Sequence, residues 1–368
     1  ERRYFENQYD SDYYFQACWT AHTYFYPLFD YTPYNDLVGM KGSGKSQRQD
    51  LLEWTCYNGM KSGDATVSSI FRTVQGTGGT IILDEAENLK GGKDDKLELE
   101  SLLRNGFQKG GKVSRSKEQN KTFVPETFSV YSPKVVGHIH AVDNTLADRC
   151  IENAILKSTN KKVLEQSPDE SKDSLIYQNR ENLYRLFLDY AVEVRSLIPE
   201  ARELIKKTAG RTMDLWTSQV TMALFFEKHG VENAVSKIKA KLKIISQNKQ
   251  NADREESIEF KLIEILDQHV EEVPRYTKEL YVFINEKIVE LYSIEPLRPI
   301  DIKSALLRCG FHQGVHDNKA VPWIDITPSN ILRQKERLGL VEPTQSTLGD
   351  TKSSNNNADS VDNVGSVA

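Results

Sequence analysis

Val38-Gly39-Met40-Lys41-Gly42-Ser43-Gly44-Lys45-Ser46-Gln47 carries a residue of the required type at every fixed position of the pattern G-x-x-x-x-G-K-[ST]. The spacing has a chemical reason. Glycines let successive backbone N–H groups turn inward around phosphates without Cβ clashes, Lys45 reaches the β and γ phosphates, and the Ser46 hydroxyl can ligate Mg²⁺. Gly39, Met40, Lys41, Gly42, Ser43, Gly44, Lys45, Ser46 and Gln47 are therefore the expected nucleotide-binding residues. Such a loop needs a strand before it and a helix after it. Tyr34 to Val38 can be that strand, although Asn35 and Asp36 are polar for a buried one. Ser46 to Tyr57 places Leu51, Leu52 and Trp54 or Thr55 near one helical face before Asn58-Gly59 ends the helix. The competing reading is a glycine turn that happens to hold a lysine.

A phosphate loop requires an acidic partner on a second strand. Thr80-Ile81-Ile82-Leu83-Asp84-Glu85 follows a glycine-rich turn at Gly76 to Gly79, and its unbroken apolar run reads as a central parallel strand covered on both faces. Asp84 then falls at the carboxyl end of the strand, where open α/β sheets bind ligands, and joins Ser46 as the expected Mg²⁺ pair. Glu85 has no metal or phosphate duty of its own, so it is the candidate to orient and deprotonate an attacking water. The expectation is ATP hydrolysis with ATP and Mg²⁺ as the bound groups. A kinase fits less well, since the stretch after Asp84 offers water activation and shows no acceptor site.

Two arginines extend the candidate site. Lys134 to Ile139 reads as a second core strand, and Asn144 to Cys150 follows it with Arg149 on a short helix. Ring-forming ATPases use this arrangement to offer an arginine to a neighbour's γ-phosphate, and a local ion pair with Asp148 is the alternative. Arg211 opens a helix predicted over Arg211 to Phe226, where its charge opposes the helix dipole and calls for an anionic partner, either a phosphate or a carboxylate. Between the two candidate strands, Lys109, Lys112, Arg115, Lys117 and Lys121 make a basic glycine loop that either faces DNA phosphates or is simply solvated.

YNDLVGMKGSGKSQ, TIILDEAENL, LLRNGFQKGGKVSR, FSVYSPKVVGHIHAVDNTLADRC and AGRTMDLW, in that order, resemble the AAA+-like ATPase domains of helicase or primase-helicase proteins carried by phages, plasmids and integrated elements. The resemblance covers about residues 30 to 225. It implies an α/β fold with a P-loop NTPase parallel sheet flanked by helices, a helical lid, and a hexameric or other ring oligomer that translocates on DNA, single-stranded DNA being favoured. It also implies that Arg149 is the arginine finger, that Arg211 is the lid arginine sensing the bound phosphate, and that a residue such as His138 orients the water. The family carries a small polar side chain near that last position and an apolar strand where Asn35 and Asp36 stand, so the chain departs from the pattern twice.

The remaining segments divide around this core. Residues 1–33 are rich in Tyr and Phe and read as a helix laid against the ATPase core, with base stacking as the alternative. The core is expected over 34–158, the helical lid over 159–247 with a helix at Tyr177 to Leu197, and a linker and helix over 248–274, Asn248 to Glu256 being the linker. Residues 231–247 carry Lys237, Lys239, Lys241 and Lys243 beside an apolar helical face, which suits phosphate contact or solvation. A winged-helix-like module is expected over 275–340, from a helix at Pro299 to Leu307, a strand at Ala320 to Ile326 and a helix at Pro328 to Arg337. Residues 341–368 are dominated by Ser, Asn, Asp and Gly and read as a disordered tail.

Composition excludes some classes and leaves others open. With 48 basic and 53 acidic residues, a nucleic-acid surface must be a local patch. Four dispersed cysteines imply neither a zinc site nor a disulfide framework, and the paired histidines His138/His140 and His312/His316 each lack a third ligand. No secretory pattern or apolar run of spanning length occurs, so a cytoplasmic chain with no membrane partner is expected. The start at Glu1 without methionine suggests that an amino-terminal part is missing. The leading reading is an oligomeric AAA+-like motor acting on DNA in replication or maintenance of a mobile element. A protein-remodelling or assembly ATPase, or a nucleotide-gated interaction module with little turnover, shares the nucleotide-binding residues.

Overall fold

The computed structural model describes residues 2–62, 66–84, 93–119, 122–138, 144–208, 210–274, 276–312, 326–338 and 340–341. Two compact units divide the chain, Glu1–Ser246 and Gln247–Ala368. The first contains α1 (Asp10–Phe25), β1 (Tyr34–Val38), α2 (Lys45–Thr55), β2 (Met60–Lys61), α3 (Val67–Thr77), β3 (Ile81–Leu83), α4 (Lys93–Asn105), β4 (Lys112–Gln119), β5 (Thr122–Ser129) and β6 (Lys134–His138). It continues with α5 (Asn144–Ala147), β7 (Cys150–Ala154), α6 (Lys161–Leu164), α7 (Ser174–Leu204), α8 (Arg211–Lys228) and the start of α9 (Ala234–Glu256).

Among the described residues five strands form one sheet in the order β2-β3-β6-β1-β7, with every pairing parallel. Each parallel connection carries the chain over a face, so both faces must be covered, and helices cover them. Alternation along the strands sorts the side chains. Leu37, Ile82, Val135 and Ile151 join one core with α1, α7, α8 and α9, whereas Tyr34, Ile81 and Leu83 join a second core with α3 and α4. Trp19, Trp216, Phe15 and Phe25 are almost wholly enclosed in the first core. Burying an aliphatic or aromatic side chain of this kind stabilises by roughly 1.5–3 kcal/mol. The result is an α/β unit with a parallel sheet between helices, an arrangement compatible with a phosphate-loop core.

The polar strand β1 has a structural explanation. Asn35 lies on the α1 side of the sheet, and its Nδ2 donates to Gln16 Oε1 at 3.0 Å. Asn153 of β7 donates to the same oxygen at 3.0 Å. All three side chains are buried, so one glutamine on α1 serves two amides on neighbouring strands.

Several expectations need correction. Most of the basic 109–121 segment, Lys112–Gln119, is a strand and not a loop. From Lys112 it is an antiparallel ribbon in which Lys112 pairs with Ser129 and Gln119 with Thr122. Arg115 forms an ion pair with Glu98, donates to Ser68 and lies over the Phe71 ring, while Lys109 Nζ donates to Pro27 O at 2.8 Å. Lys112 is exposed; the Lys117 side chain and Lys121 lie outside the described residues. The linker expected over Asn248 to Glu256 is helical, because α9 continues through it. That stretch contains neither Gly nor Pro and is rich in good helix formers. Ser257 then caps α10 (Ile258–Gln268) by accepting from Phe260 N.

The second unit packs α10 with α11 (Thr277–Tyr292), α12 (Pro299–Arg308) and α13 (Pro328–Arg337). Leu262, Ile263, Ile265 and Leu266 of α10 are fully enclosed with Leu280, Ile284, Ile302 and Ile331, so this core begins at α10 and not at residue 275. Of the strand expected over Ala320 to Ile326, all but the last residue lies outside the described residues, as do His316 and the tail from 342. Among the described residues no helix is long and apolar enough to cross a membrane.

Lys134 starts β6 with its ammonium fully buried. It donates to Gly106 O, Val130 O, Ser132 O and Ser132 Oγ at 2.9–3.3 Å. Every one of these acceptors is neutral, and burial pulls the amine down to about 7. Its ordinary value is 10.5, so between these limits the unfolded chain binds more protons and this residue's contribution rises with pH. Relative to Lys134→Met, wild-type stability should increase from pH 7 to pH 9.5, at up to about 1.4 kcal/mol per pH unit. Denaturant unfolding of both proteins across that range checks it, and a pH-independent difference would refute the assignment.

Candidate functional site

The chain leaves β1 at Val38 and enters α2 at Lys45, and the six residues between make a tight loop. Gly42 and Gly44 take φ of 80° and 95°, the left-handed region that side chains with a Cβ disfavour. Gly39 is required for a different reason. A Cβ there would meet Ser43 Oγ at 2.6 Å and the Ile155 carbonyl at 2.8 Å, so only glycine lets the loop pass this close to the end of β7. Gly44 caps α2 without any side-chain hydrogen bond, which leaves the first-turn amides of Lys45, Ser46 and Gln47 without a side-chain acceptor. A helix start in that condition is suited to an anion.

Lys45 Nζ and Ser43 Oγ are buried atoms with no hydrogen-bond partner. An ammonium without an acceptor is costly, and a phosphate oxygen is the group that would satisfy it. The cradle therefore fits a polyphosphate. Ser46, at the head of α2, is exposed. Gln47 turns away, donating through Nε2 to Ser167 Oγ at 3.0 Å.

The sheet register brings Asp84 to the same edge. Leu83 pairs with Val136 of β6, and Val136 pairs with Asp36 of β1. Asp84, one residue on, is level with Leu37 and lies two strand spacings, about 10 Å, from β1. A metal-bridged phosphate between a carboxylate and the loop fits such a gap. Asp84 is half-buried; Glu85 and the side chain of His138 lie outside the described residues. Among the described residues no group of three or more His, Cys, Asp or Glu side chains that could hold a metal ion occurs.

Gln49, which the motif reading passed over, sits one turn beyond Lys45. It is fully buried, neither amide atom has a partner, and its Nε2 lies 2.3 Å from where a Cβ on Gly137 would be. Gly137 is thus the gap in β6 that admits this side chain.

The two arginines lie elsewhere. Tyr34 N donates to Arg149 O at 3.0 Å, which fixes Arg149 beside the first residue of β1, whereas the phosphate loop follows the last. At about 3.3 Å per residue the strand separates them by about 13 Å before the loop begins. Arg149 Nε donates to Arg104 O at 3.1 Å, and its guanidinium lies 4.9 Å from the Phe107 ring centroid. Arg211 lies 5.2 Å from the same centroid. Burial, and next the charge of Arg211, lower the Arg149 pKa, with Asp148 exerting a weaker opposing pull. The structure therefore brings Arg149 and Arg211 together on one aromatic ring and holds neither next to Lys45. Nothing in the spacing of Phe107 announces this role, since it reads only as the last apolar residue after a helix.

A change at the loop separates its geometry from its charge. Gly39→Ala is expected to retain the fold while lowering nucleotide affinity at least about tenfold, because the new Cβ pushes the loop off Ile155 and turns its amides from the phosphates. Fluorescent-nucleotide titration beside a thermal melt checks it, and wild-type affinity would overturn it.

No protein-family model matches the chain, and no curated protein does. Among solved structures, one of JCV helicase bound to a thiazolopyridine-bearing phenoxyphenyl acetamide is similar at 13% identity and a TM-score of 0.24. The match covers 71% of this chain and 66% of that one, slightly under two thirds of its length. A TM-score this low bears on neither fold nor function.

Proposed function

We propose that this chain is a Mg²⁺-dependent ATPase that works as an oligomer on DNA. The observation that carries the reading is the buried, unpartnered Lys45 Nζ at the head of α2, inside a loop whose glycines are demanded by φ and by contact. In the bound state Lys45 would hold the β and γ phosphates, the amides of residues 42 to 47 would surround them, and Ser46 and Asp84 would hold the metal. Mg²⁺ there would neutralise charge developing on the transferred phosphoryl group. Glu85, next after Asp84, is the candidate to accept the proton of the attacking water. Action on DNA rests on the sequence resemblance and on Lys112 of the β4–β5 ribbon, which is exposed.

One observation favours a remodelling ATPase instead: Lys109 and Arg115 of the basic segment are engaged within the protein. Steady-state ATP turnover, measured with and without single-stranded DNA at low and moderate salt, separates the readings. Turnover stimulated by DNA and weakened by salt is the expected result. Turnover indifferent to DNA would move the assignment to remodelling, and the absence of turnover would overturn both.

A further inference from the structure

We propose that Gln49 is a positioning residue of the site, its side-chain amide holding the Asp84 carboxylate in the orientation that takes Mg²⁺. The proposal rests on the ATPase reading above and deepens it, since neither the phosphate-loop pattern nor the acidic strand calls for an amide at this place.

Gln49 lies on the core face of α2, between Lys45 one turn before it and Leu52, which is enclosed with Leu37, Ile82 and Val135. Its side chain is fully buried, and neither Nε2 nor Oε1 has a hydrogen-bond partner. Among the described residues Gln16, Asn35, Asn153, Gln219 and Gln334 are buried as well, and each makes a side-chain hydrogen bond. Burial of an unpaired amide is costly, so a side chain left wholly unpaired among others that are satisfied calls for a partner.

The sheet identifies that partner. β6 runs between β1 and β3, so it is the floor of the gap that separates the phosphate loop from Asp84. Gly137 of β6 pairs with Leu37, and the Leu83–Val136 pairing continued by one residue puts Asp84 beside Gly137. A Cβ on Gly137 would overlap Gln49 Nε2, and the Leu83 carbonyl lies 3.5 Å from the same point. The amide thus fills the place that a side chain on Gly137 would take, which is the close approach a glycine within a strand permits. Alternation sends Asp84 to the face of Ile82, the face that Val135, Gly137 and α2 share. One strand spacing, about 4.8 Å, then separates the amide from the root of the Asp84 side chain. The contact is not closed in this structure, but the terminal torsions of Gln and Asp are soft and rotation closes it. Nε2 then donates to one carboxylate oxygen and leaves the other for the metal, while Oε1 accepts from a water in the gap. A carboxylate held in this way is oriented by its neighbour, and loss of such a neighbour weakens metal binding by 10- to 100-fold as a rough scale.

Two variants of the full chain test the proposal. Gln49→Met keeps the volume and removes the amide, and Gly137→Ala keeps the amide and pushes it aside. Each is measured for the Mg²⁺ concentration that gives half-maximal ATP turnover, for fluorescent-ADP affinity in Mg²⁺ and in EDTA, and for its melting temperature. Both variants should need at least about tenfold more Mg²⁺, with affinity in EDTA within about twofold of wild type. Gln49→Met should melt at or above the wild-type temperature, because it removes two unpaired buried atoms. The double variant should be no worse than Gln49→Met, since alanine at 137 then has no amide to displace. A lower melting temperature with an unchanged Mg²⁺ requirement would make Gln49 a core amide and overturn the proposal. Equal loss of affinity in Mg²⁺ and in EDTA would overturn it as well, in favour of a role in shaping the loop. In either case a wild-type protein that turns over ATP with Mg²⁺ leaves the ATPase reading standing. A wild type without turnover, binding nucleotide equally well in Mg²⁺ and in EDTA, would remove that reading and the proposal with it.

Discussion

Lys45→Ala is expected to lower ATP turnover by at least about 10²-fold while leaving the melting temperature unchanged or slightly raised. The two halves of that result have one cause. Lys45 Nζ is buried without a partner, so in the nucleotide-free protein it contributes desolvation cost and no hydrogen bond. Its removal relieves that cost. With nucleotide bound, the same ammonium is the charge aimed at the β and γ oxygens, and alanine leaves those oxygens to the loop amides alone. Turnover assays and thermal melts with and without nucleotide read both halves. A variant that hydrolyses ATP at the wild-type rate would show that the loop is a glycine turn with an incidental lysine.

Gln16→Leu should be the most destabilising single polar substitution at the α1–sheet contact, by about 3 kcal/mol. Its Oε1 accepts from both Asn35 Nδ2 and Asn153 Nδ2, and both asparagines are wholly enclosed. Leucine would strand two buried donors, each costing about 1–3 kcal/mol. Replacing Gln16, Asn35 and Asn153 together by leucine removes the donors with the acceptor, and most of the loss should be recovered. Urea midpoints for the single and triple variants measure this. A single variant within about 0.5 kcal/mol of wild type would mean that the shared acceptor contributes little.

The elements that carry the site were readable because they obey local rules. The loop is set by glycine and lysine spacing, and β3 by an unbroken apolar run. Helix α3 was equally readable but unassigned: Val67, Ile70, Phe71 and Val74 recur at helical spacing after a Thr66 cap and end at Gly78 in the left-handed region. The polar strand β1 looked like a fault in the pattern, since the acceptor for the Asn35 amide is Gln16 on α1, 19 residues earlier in the chain, which no window around residue 35 contains. The ribbon β4–β5 was hidden by charge, because Arg115 spends its guanidinium on Glu98 and the face of Phe71. The linker over 248–256 was misread by composition alone: polar residues suggest a connection, but helix propensity without Gly or Pro continues α9. The convergence of Arg149 and Arg211 on Phe107 was illegible, since it depends on which edge of the sheet each chain segment reaches.

The pairing of β1 also dictates an order of assembly. Asn35 takes Val135 and Ile151 as its neighbours on either side, so the strand that precedes the phosphate loop has no sheet partner until β6 and β7 arrive. Gln16 likewise waits for Asn153, 137 residues later in the chain. Contacts so far apart in sequence are slow to close, because the intervening loop must be ordered first. During synthesis the phosphate loop is therefore made early and built late, and a nascent chain that ends before β7 holds the complete motif without the sheet that shapes it.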